Sequence, residues 1–378
     1  MRKVLYIATS DIHLNTFHIP CLRLLQSRGY DVDTAADNRG NIRLPFVRRQ
    51  FDVSFPRKLL SRDLIAAGRR LKTLVRNENY DLIHCHTPIP SFLTRFVIAN
   101  RDRNKQKLFY TAHGFHFYPG SGLKTWLTYF PAEYILSRWT DAIICINRTD
   151  FYYSKRYFKS NETFLIPGVG VSPERFKPLD KACRDRVRKS LDLKETDFVI
   201  AYVAEFIPRK NHAFLLECMK GLKKAIPNIK LLLAGKGVLM DKMKALAREL
   251  DINDQVCFLG FRDDVDKLVA IADLGVSTSR HEGLGLGVVE HMMCGIPVVA
   301  SLDKGHLELV EHGINGFLYK QHDIYDFNRR IHQLFLDQEL RRSMGNSARQ
   351  KAFAYTTEKS LEAMSGIYDF ARFDLPPS

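Results

Sequence analysis

Short apolar runs and longer stretches of helically spaced apolar residues alternate along this chain in two series. In the first half the apolar runs lie near Lys3–Thr9, Asp31–Ala36, Asp81–His86, Lys107–His113, Ala142–Asn147 and Phe164–Pro167. In the second half they lie near Phe198–Glu205, Lys230–Ala234, Gln255–Phe261, Leu274–Ser279, Pro297–Ser301 and Gly316–Tyr319. Strands separated by helix-length segments predict parallel sheets with both faces covered. Two such series predict an α/β protein with two doubly wound domains. The break falls between Pro167 and about Leu193, where Pro167-Gly168-Val169-Gly170 reads as a turn and Pro173, Phe176 and Pro178 lead into a charged helix, Asp180–Leu191. The expected domains are 1–178 and 179–357, with helix continuing to near Phe373. Ligands of open α/β sheets bind beyond the C-terminal ends of the strands, so the motifs are expected to converge on a cleft between the two domains.

The segment His281–Val298 carries the densest chemistry. Glu282 and Glu290 stand eight apart, with the turn Gly283-Leu284-Gly285-Leu286-Gly287 between them. Leu274–Ser279 reads as a buried parallel strand, and about Leu284–Cys294 as a helix ended by Gly295 and Pro297. A helix N-terminus offers unpaired N–H groups and partial positive charge, and glycines let an anion approach the backbone. Helical side chains lean toward the N-terminus, which places both carboxylates beside the same anion. A ligand that is part phosphate and part polyol suits this arrangement. By itself the spacing also fits a surface loop with two solvated glutamates.

The Glu-x7-Glu pattern, followed by Cys294-Gly295-Ile296-Pro297-Val298-Val299, resembles the donor site of the family 4 glycosyltransferases, which have the GT-B fold. In the first half, Tyr110-Thr-Ala-His-Gly-Phe-His-Phe-Tyr118 and Asp81-Leu-Ile-His-Cys-His-Thr-Pro88 are similar to bacterial members that build capsule, exopolysaccharide and O-antigen repeat units. The resemblance covers nearly the whole chain. It implies an acceptor-binding N-terminal and a nucleotide-sugar-binding C-terminal Rossmann-like domain, with the helix near 358–378 (Glu358–Arg372 at its centre) packing back on the first. It further implies retaining transfer of a hexose or N-acetylhexosamine from a UDP-sugar to a polyprenyl-diphosphate-linked saccharide, with no cofactor.

The same resemblance distributes the site. Its catalytic residues are His113, near the donor sugar, with Glu282 and Lys210. Glu282 orients the sugar and Glu290 holds the ribose, while Gly283, Leu284, Gly285 and Leu286 meet the phosphate. Members of the family usually carry Gly-Arg just after the first strand of the second domain, with a Lys several residues on. Here the strand ends Ala204-Glu205, so Lys210 keeps the Lys role and Arg209 stands in for the missing Arg. Phe258-Leu-Gly-Phe-Arg-Asp263 matches the segment that binds the base, with Phe261 or Arg262 flanking it. Gly235-Lys236-Gly237 admits either a nucleotide or a plain tight turn. His13, His86, Phe115 and His116 fall on the acceptor side. His84 and His86 alternate onto one face of their strand.

Four histidines raise the question of zinc, but no His-Glu-x-x-His spacing occurs and no metal is expected. Asp31-Val-Asp33 and Asp264-Val-Asp266 spell Asp-x-Asp outside the context in which that string binds manganese, and read as structural. The seven cysteines are scattered without Cys-x-x-Cys, as for buried thiols in a reducing cytoplasm.

Charge adds a further expectation. The net charge is +15, and residues 1–180 hold 28 Lys+Arg against 15 Asp+Glu, so nearly all the excess lies in the first half. Arg43, Arg48, Arg49, Arg57, Lys58, Arg62, Arg69, Arg70, Lys72 and Arg76 form the densest cluster, with Arg101, Arg103, Lys105 and Lys107 a second. Leu64, Ile65, Ala67, Leu71 and Leu74 alternate with the first cluster as in a basic amphipathic helix. The readings are a solvated face, attraction to an anionic membrane surface or lipid diphosphate, and nucleic acid, for which no recognition motif is present. Phe115, Phe117, Tyr118, Trp126, Tyr129 and Phe130 supply either membrane contact or core. No apolar run reaches the ~18 residues needed to span a bilayer, and Met1–Ser10 reads as a strand, not a signal peptide. A cytoplasmic protein held at the inner face of the membrane is expected. A UDP-sugar epimerase of the same fold and a nucleic-acid-binding protein are the rival readings.

Overall fold

The computed structural model describes residues 2–56 and 61–370. Arg57 and Lys58 of the basic cluster, and the end of the last expected helix beyond Phe370, lie outside them. The chain forms two compact units: one runs to Val169 and resumes at Thr357, and the other is Gly170–Thr356.

The first unit is a seven-stranded parallel sheet of β1 (Arg2–Ser10), β2 (Tyr30–Asp37), β3 (Arg49–Asp52), β4 (Leu82–His86), β5 (Lys107–Ala112), β6 (Ala142–Cys145) and β7 (Glu162–Leu165), in the order 3-2-1-4-5-6-7. The second is a six-stranded parallel sheet of β8 (Phe198–Val203), β9 (Ile229–Ala234), β10 (Val256–Gly260), β11 (Leu274–Ser277), β12 (Val298–Ser301) and β13 (Gly316–Tyr319), in the order 10-9-8-11-12-13. Val4–Ala8 of β1 and Val199–Ala201 of β8 are buried on both faces, as expected of parallel strands covered by helices. In each sheet the chain reverses direction at a central pair, β1/β4 and β8/β11, which opens a crevice at their C-terminal ends.

Several strands end before their expected limits. β5 stops at Ala112, before His113; β6 stops at Cys145, before Asn147; β11 stops at Ser277, before Ser279. In each case the polar residue beyond the last apolar one lies in a loop, where its side chain is available for chemistry or capping. Asn147 caps the helix Arg148–Tyr157 by accepting the Asp150 N–H at 2.8 Å. β3 is an edge strand that the polar sequence Arg-Gln-Phe-Asp conceals, paired Asp33 to Arg49 through Ala36 to Asp52.

The units divide at Val169 and Gly170, earlier than residue 178. Val171 is anchored in the second unit, where its N–H donates to the Tyr355 carbonyl at 3.0 Å. Phe176 is buried there too. The helix Thr357–Phe370 belongs to the first unit and packs on Ile19–Ser27. Ser360 Oγ donates to Gly168 O at 2.5 Å, and Arg28 pairs with Asp369 at 3.1 Å.

Part of the basic excess is consumed internally. Buried Asp33 accepts from Arg48 at 2.7 Å, Arg49 at 2.9 Å and the Tyr80 hydroxyl at 2.8 Å. Buried Asp141 pairs with Arg101, and with Arg103 at 2.8 Å. Asp33 and both arginines of the second cluster are therefore structural. On the helix Arg62–Glu78, Ala67, Gly68, Leu71, Leu74 and Val75 are buried, while Ile65 is exposed beside the basic face. Phe115 and Phe117 lie in the core, with Trp126, Tyr129 and Phe130 packed against it, so the aromatic stretch is interior.

Candidate active site

The β8/β11 crevice of the second unit collects the charged residues singled out in the sequence. After β8 the chain forms one 3-10 turn, Pro208–Lys210, and Asn211 turns it into the next helix through a left-handed backbone (φ 54°). Tyr202 on β8 fixes this turn: its hydroxyl donates to Lys210 O at 2.9 Å and lies 3.0 Å from Ser279 Oγ. Thr278 Oγ1 also donates to Lys210 O, at 3.0 Å, and the Arg280 N–H donates to Arg209 O at 2.8 Å. The two loops are thus fastened together before any ligand arrives.

Glu282 lies between the two cations. Arg209 Nη1 donates to its Oε2 at 2.7 Å and to His281 O at 2.8 Å, and Lys210 Nζ donates to its Oε1 at 2.5 Å. Burial alone would raise the Glu282 carboxyl, but Lys210, Arg209 and His306 outweigh it and hold the group at about 2. Asp303 supports the loop from behind, accepting the Glu282 N–H at 3.1 Å and the Gly305 N–H at 2.8 Å. A side chain at Gly305 would strike the Glu282 backbone. Neither Tyr202 nor Asp303 was singled out in the sequence. Asp303 carries a legible signal as an N-cap Asp, but nothing local distinguishes Tyr202 from a core tyrosine.

The helix after the glycine turn begins at Leu286, two residues later than expected, and ends at Met293. Its N-cap is Gly285 in the left-handed region (φ 97°), with no side-chain cap bond, so its first N–H groups remain available to an anion. The Leu284 side chain is buried, which leaves backbone as its contribution to a site. Glu290 projects from the same helix. Burial pushes its carboxyl up to about 7, only partly opposed by Arg175 and Lys210 and reinforced by Asp266. Lys210 therefore acts on both glutamates, which have opposite acidities.

The base-side residues are mixed. Phe261 is 62% exposed, and Lys236 Nζ sits 4.9 Å above its ring. Arg262 is turned onto Asp264, at 2.8 and 2.7 Å. The close approach that Gly235 and Gly237 permit is to the protein's own backbone: side chains there would strike Ala204 and Phe206. The two glycines are thus accounted for by packing within the unit.

In the first unit, the ends of β1, β4 and β5 gather five histidines. His86 Nδ1 is 3.3 Å from His113 Nε2, and His13 Nε2 is 3.2 Å from His18 Nε2. His84 is tied down by Tyr368 and Thr111, at 2.9 and 2.8 Å. His116 is exposed and stacks on Tyr129 at 4.5 Å. Phe115 corrects the acceptor-side expectation: its ring is 2% exposed and stacks on Phe117 at 5.0 Å, inside the core. His18, not singled out in the sequence, sits at the centre of the histidines.

The chain is similar to known proteins over nearly its whole length. The family described as Glycosyltransferase Family 4 matches residues 21–168, and Glycosyl transferases group 1 matches residues 184–351. A Bacillus subtilis (strain 168) protein named only as a glycosyltransferase, EpsD, is 37% identical over 97% of this chain and 96% of its own. The UDP-Gal:alpha-D-GlcNAc-diphosphoundecaprenol alpha-1,3-galactosyltransferase of Escherichia coli is 27% identical over 79% of this chain and 77% of its own. Among solved structures, Anabaena Alr3699/HepE in complex with UDP and glucose superposes with a TM-score of 0.81 at 18% identity, covering 98% of this chain and 100% of that one. The chain belongs to the family 4 glycosyltransferases, with two Rossmann-like domains of the GT-B fold.

Proposed function

We propose that this glycosyltransferase moves a hexose or N-acetylhexosamine from a UDP-sugar to a polyprenyl-diphosphate-linked saccharide, with retention, in surface polysaccharide assembly. The observation that carries the donor half is the Arg209–Glu282–Lys210 constellation beside an uncapped helix N-terminus. Two cations on one carboxylate leave net positive charge where a diphosphate would lie. The Escherichia coli relative, named for a UDP-sugar and a diphosphoundecaprenol acceptor, supports the choice of both substrates.

In this reading the acceptor hydroxyl oxygen attacks the anomeric carbon from the face that UDP leaves. The bond from that carbon to the phosphate oxygen breaks, its electron pair stays on the β-phosphate, and the hydroxyl proton passes to that departing oxygen. Arg209, Lys210 and the N–H groups at Leu286 stabilise the growing charge as preorganised donors. Glu282, ionised at any physiological pH, orients sugar hydroxyls. Glu290 accepts from the ribose, and Phe261 offers its face to the base. We assign His113 to the transferred sugar, and His13, His86 and His116 to the acceptor. A covalent glycosyl-enzyme adduct would contradict this route.

We also propose peripheral attachment to an anionic membrane surface. Among the described residues no helix is long and apolar enough to cross a membrane. Arg69, Arg70, Lys72 and Arg76 are exposed on the helix Arg62–Glu78. That helix packs on Pro88–Val97, which packs on Leu123–Ser137, and Ile65, Phe96, Leu123 and Leu127 are exposed along the three.

The test is incubation of purified protein with a panel of UDP- and GDP-sugars and a polyprenyl-diphosphate-sugar acceptor, following nucleotide release and lipid product. Acceptor-dependent release with a UDP-sugar, lost in Glu282→Ala, is expected. Conversion of the donor to its epimer without acceptor would favour the epimerase reading. Failure to bind any nucleotide would remove the donor assignment.

A further inference from the structure

We infer that the first unit holds a site for a transition-metal ion of zinc-like chemistry, built from His13, His18 and His113. One ring nitrogen of each lies within 4.8 Å of one on each of the others. His13 Nε2 and His18 Nε2 are already 3.2 Å apart. In a tetrahedral site with Zn–N bonds of about 2.0–2.1 Å, neighbouring nitrogens stand about 3.3 Å apart. One edge therefore has the required length, and closing the longest takes a shift of roughly 1.5 Å. His13 and His113 are only partly buried, so the shift falls on the less enclosed rings.

The sequence conceals this grouping. His13 lies in the helix Asp11–Phe17, His18 is the residue that ends it, and His113 follows β5. A spacing of five is not one helical face, but the backbone leaves the helix at His18 (φ −118°, ψ −2°) and turns the ring back onto His13. One outer partner, on His18, has the pattern that orients a metal-binding imidazole. The Tyr6 hydroxyl lies 2.9 Å from His18 Nδ1, and the Ser10 side chain accepts the His13 N–H at 3.2 Å, fixing its backbone. His86 meets His113 at 3.3 Å, while its own Nε2 is buried with no hydrogen-bond partner among the described residues.

Three imidazoles without a carboxylate favour zinc, cobalt, nickel or copper over magnesium, calcium or manganese. Three protein ligands leave a fourth position open. The site shares His13 and His113 with the saccharide assignments of the proposed function, and uses none of Arg209, Lys210 and Glu282 in the second unit.

The test is titration of untagged, chelator-treated full-length protein with CoCl2, followed by visible absorbance. Bands of tetrahedral cobalt should saturate at one ion per chain and be displaced by ZnCl2. His13→Gln and His113→Gln, each checked for folding by thermal unfolding, should weaken binding at least about 100-fold. If His113→Gln does not fold, His13→Gln decides. Folded wild-type protein that gives no such bands overturns the inference and identifies the cluster as a hydrogen-bonded network. Binding unchanged in the folded variants also overturns it, by placing the metal elsewhere. UDP binding is measured alongside, so loss of the metal site and loss of the donor site are read independently.

Discussion

Glu282 and Glu290 are the same chemical group and behave oppositely. Glu282, held at about 2, contributes stability that is present above its ordinary value of 4.5 and is lost as the pH falls through about 2. Glu290, raised to about 7, is destabilising once ionised: the penalty begins above 4.5, grows through the interval and is complete above about 7. At about 1.4 kcal/mol for each tenfold change in acidity, that penalty is about 3 kcal/mol. Glu290→Gln should therefore gain unfolding free energy relative to wild type as the pH rises from 5 to 7.5, measured by urea denaturation across that range. A difference that stays flat would mean that Glu290 is solvated. The same substitution should weaken UDP binding if the carboxylate holds the ribose.

At the scale of elements, loops rather than strands carry the chemistry, and they are positioned by a few buried polar residues. Asp141, at the entrance to β6, is the clearest case: it pairs with Arg101 and Arg103, and accepts the Leu108 N–H of β5 at 2.8 Å. Removing one partner from a buried pair leaves the other uncompensated. Asp141→Asn should cost about 3 kcal/mol in chemical denaturation. In the second unit, Tyr202, Thr278 and Asp303 do for Lys210 and Glu282 what Asp141 does for the 101–108 loop. Tyr202→Phe leaves the core ring in place but frees the Pro208–Lys210 turn, so its effect should appear in nucleotide affinity before it appears in stability.

At the scale of the whole molecule, the +15 charge has a division of labour. Arg48, Arg49, Arg101 and Arg103 serve buried carboxylates, and Arg209 and Lys210 serve Glu282. Among the described residues, the exposed face of the helix Arg62–Glu78 has no such buried carboxylate of its own helix beneath it: the buried residues are apolar or glycine. That face is the part we propose for attachment to a membrane. The triple charge reversal Arg69→Glu, Arg70→Glu and Lys72→Glu should reduce co-sedimentation with phosphatidylglycerol-containing vesicles by at least ~10-fold. Binding of the wild type should fall with added salt and be weak on neutral vesicles. Retention by the reversed protein would shift attention to Ile65, Phe96, Leu123 and Leu127.

The period of apolar runs was enough to determine both doubly wound sheets apart from the polar edge strand β3, because a strand buried on two faces must be apolar throughout and cannot pass for a surface loop. The Glu-x7-Glu segment, the Lys at 210 and the basic face of the helix Arg62–Glu78 were equally local, since each depends on residues close together in the sequence. Tertiary structure alone decided what lies far apart in sequence. It turned Phe115 inward, gave the 235–237 glycines to a backbone contact, paired Asp33 and Asp141 with the arginines, and tied Tyr202 to Lys210. It also brought His13, His18 and His113 to one place. Sequence spacing reports which side chains share a helix or strand face, but only the order of strands in a sheet determines which loops meet at its end.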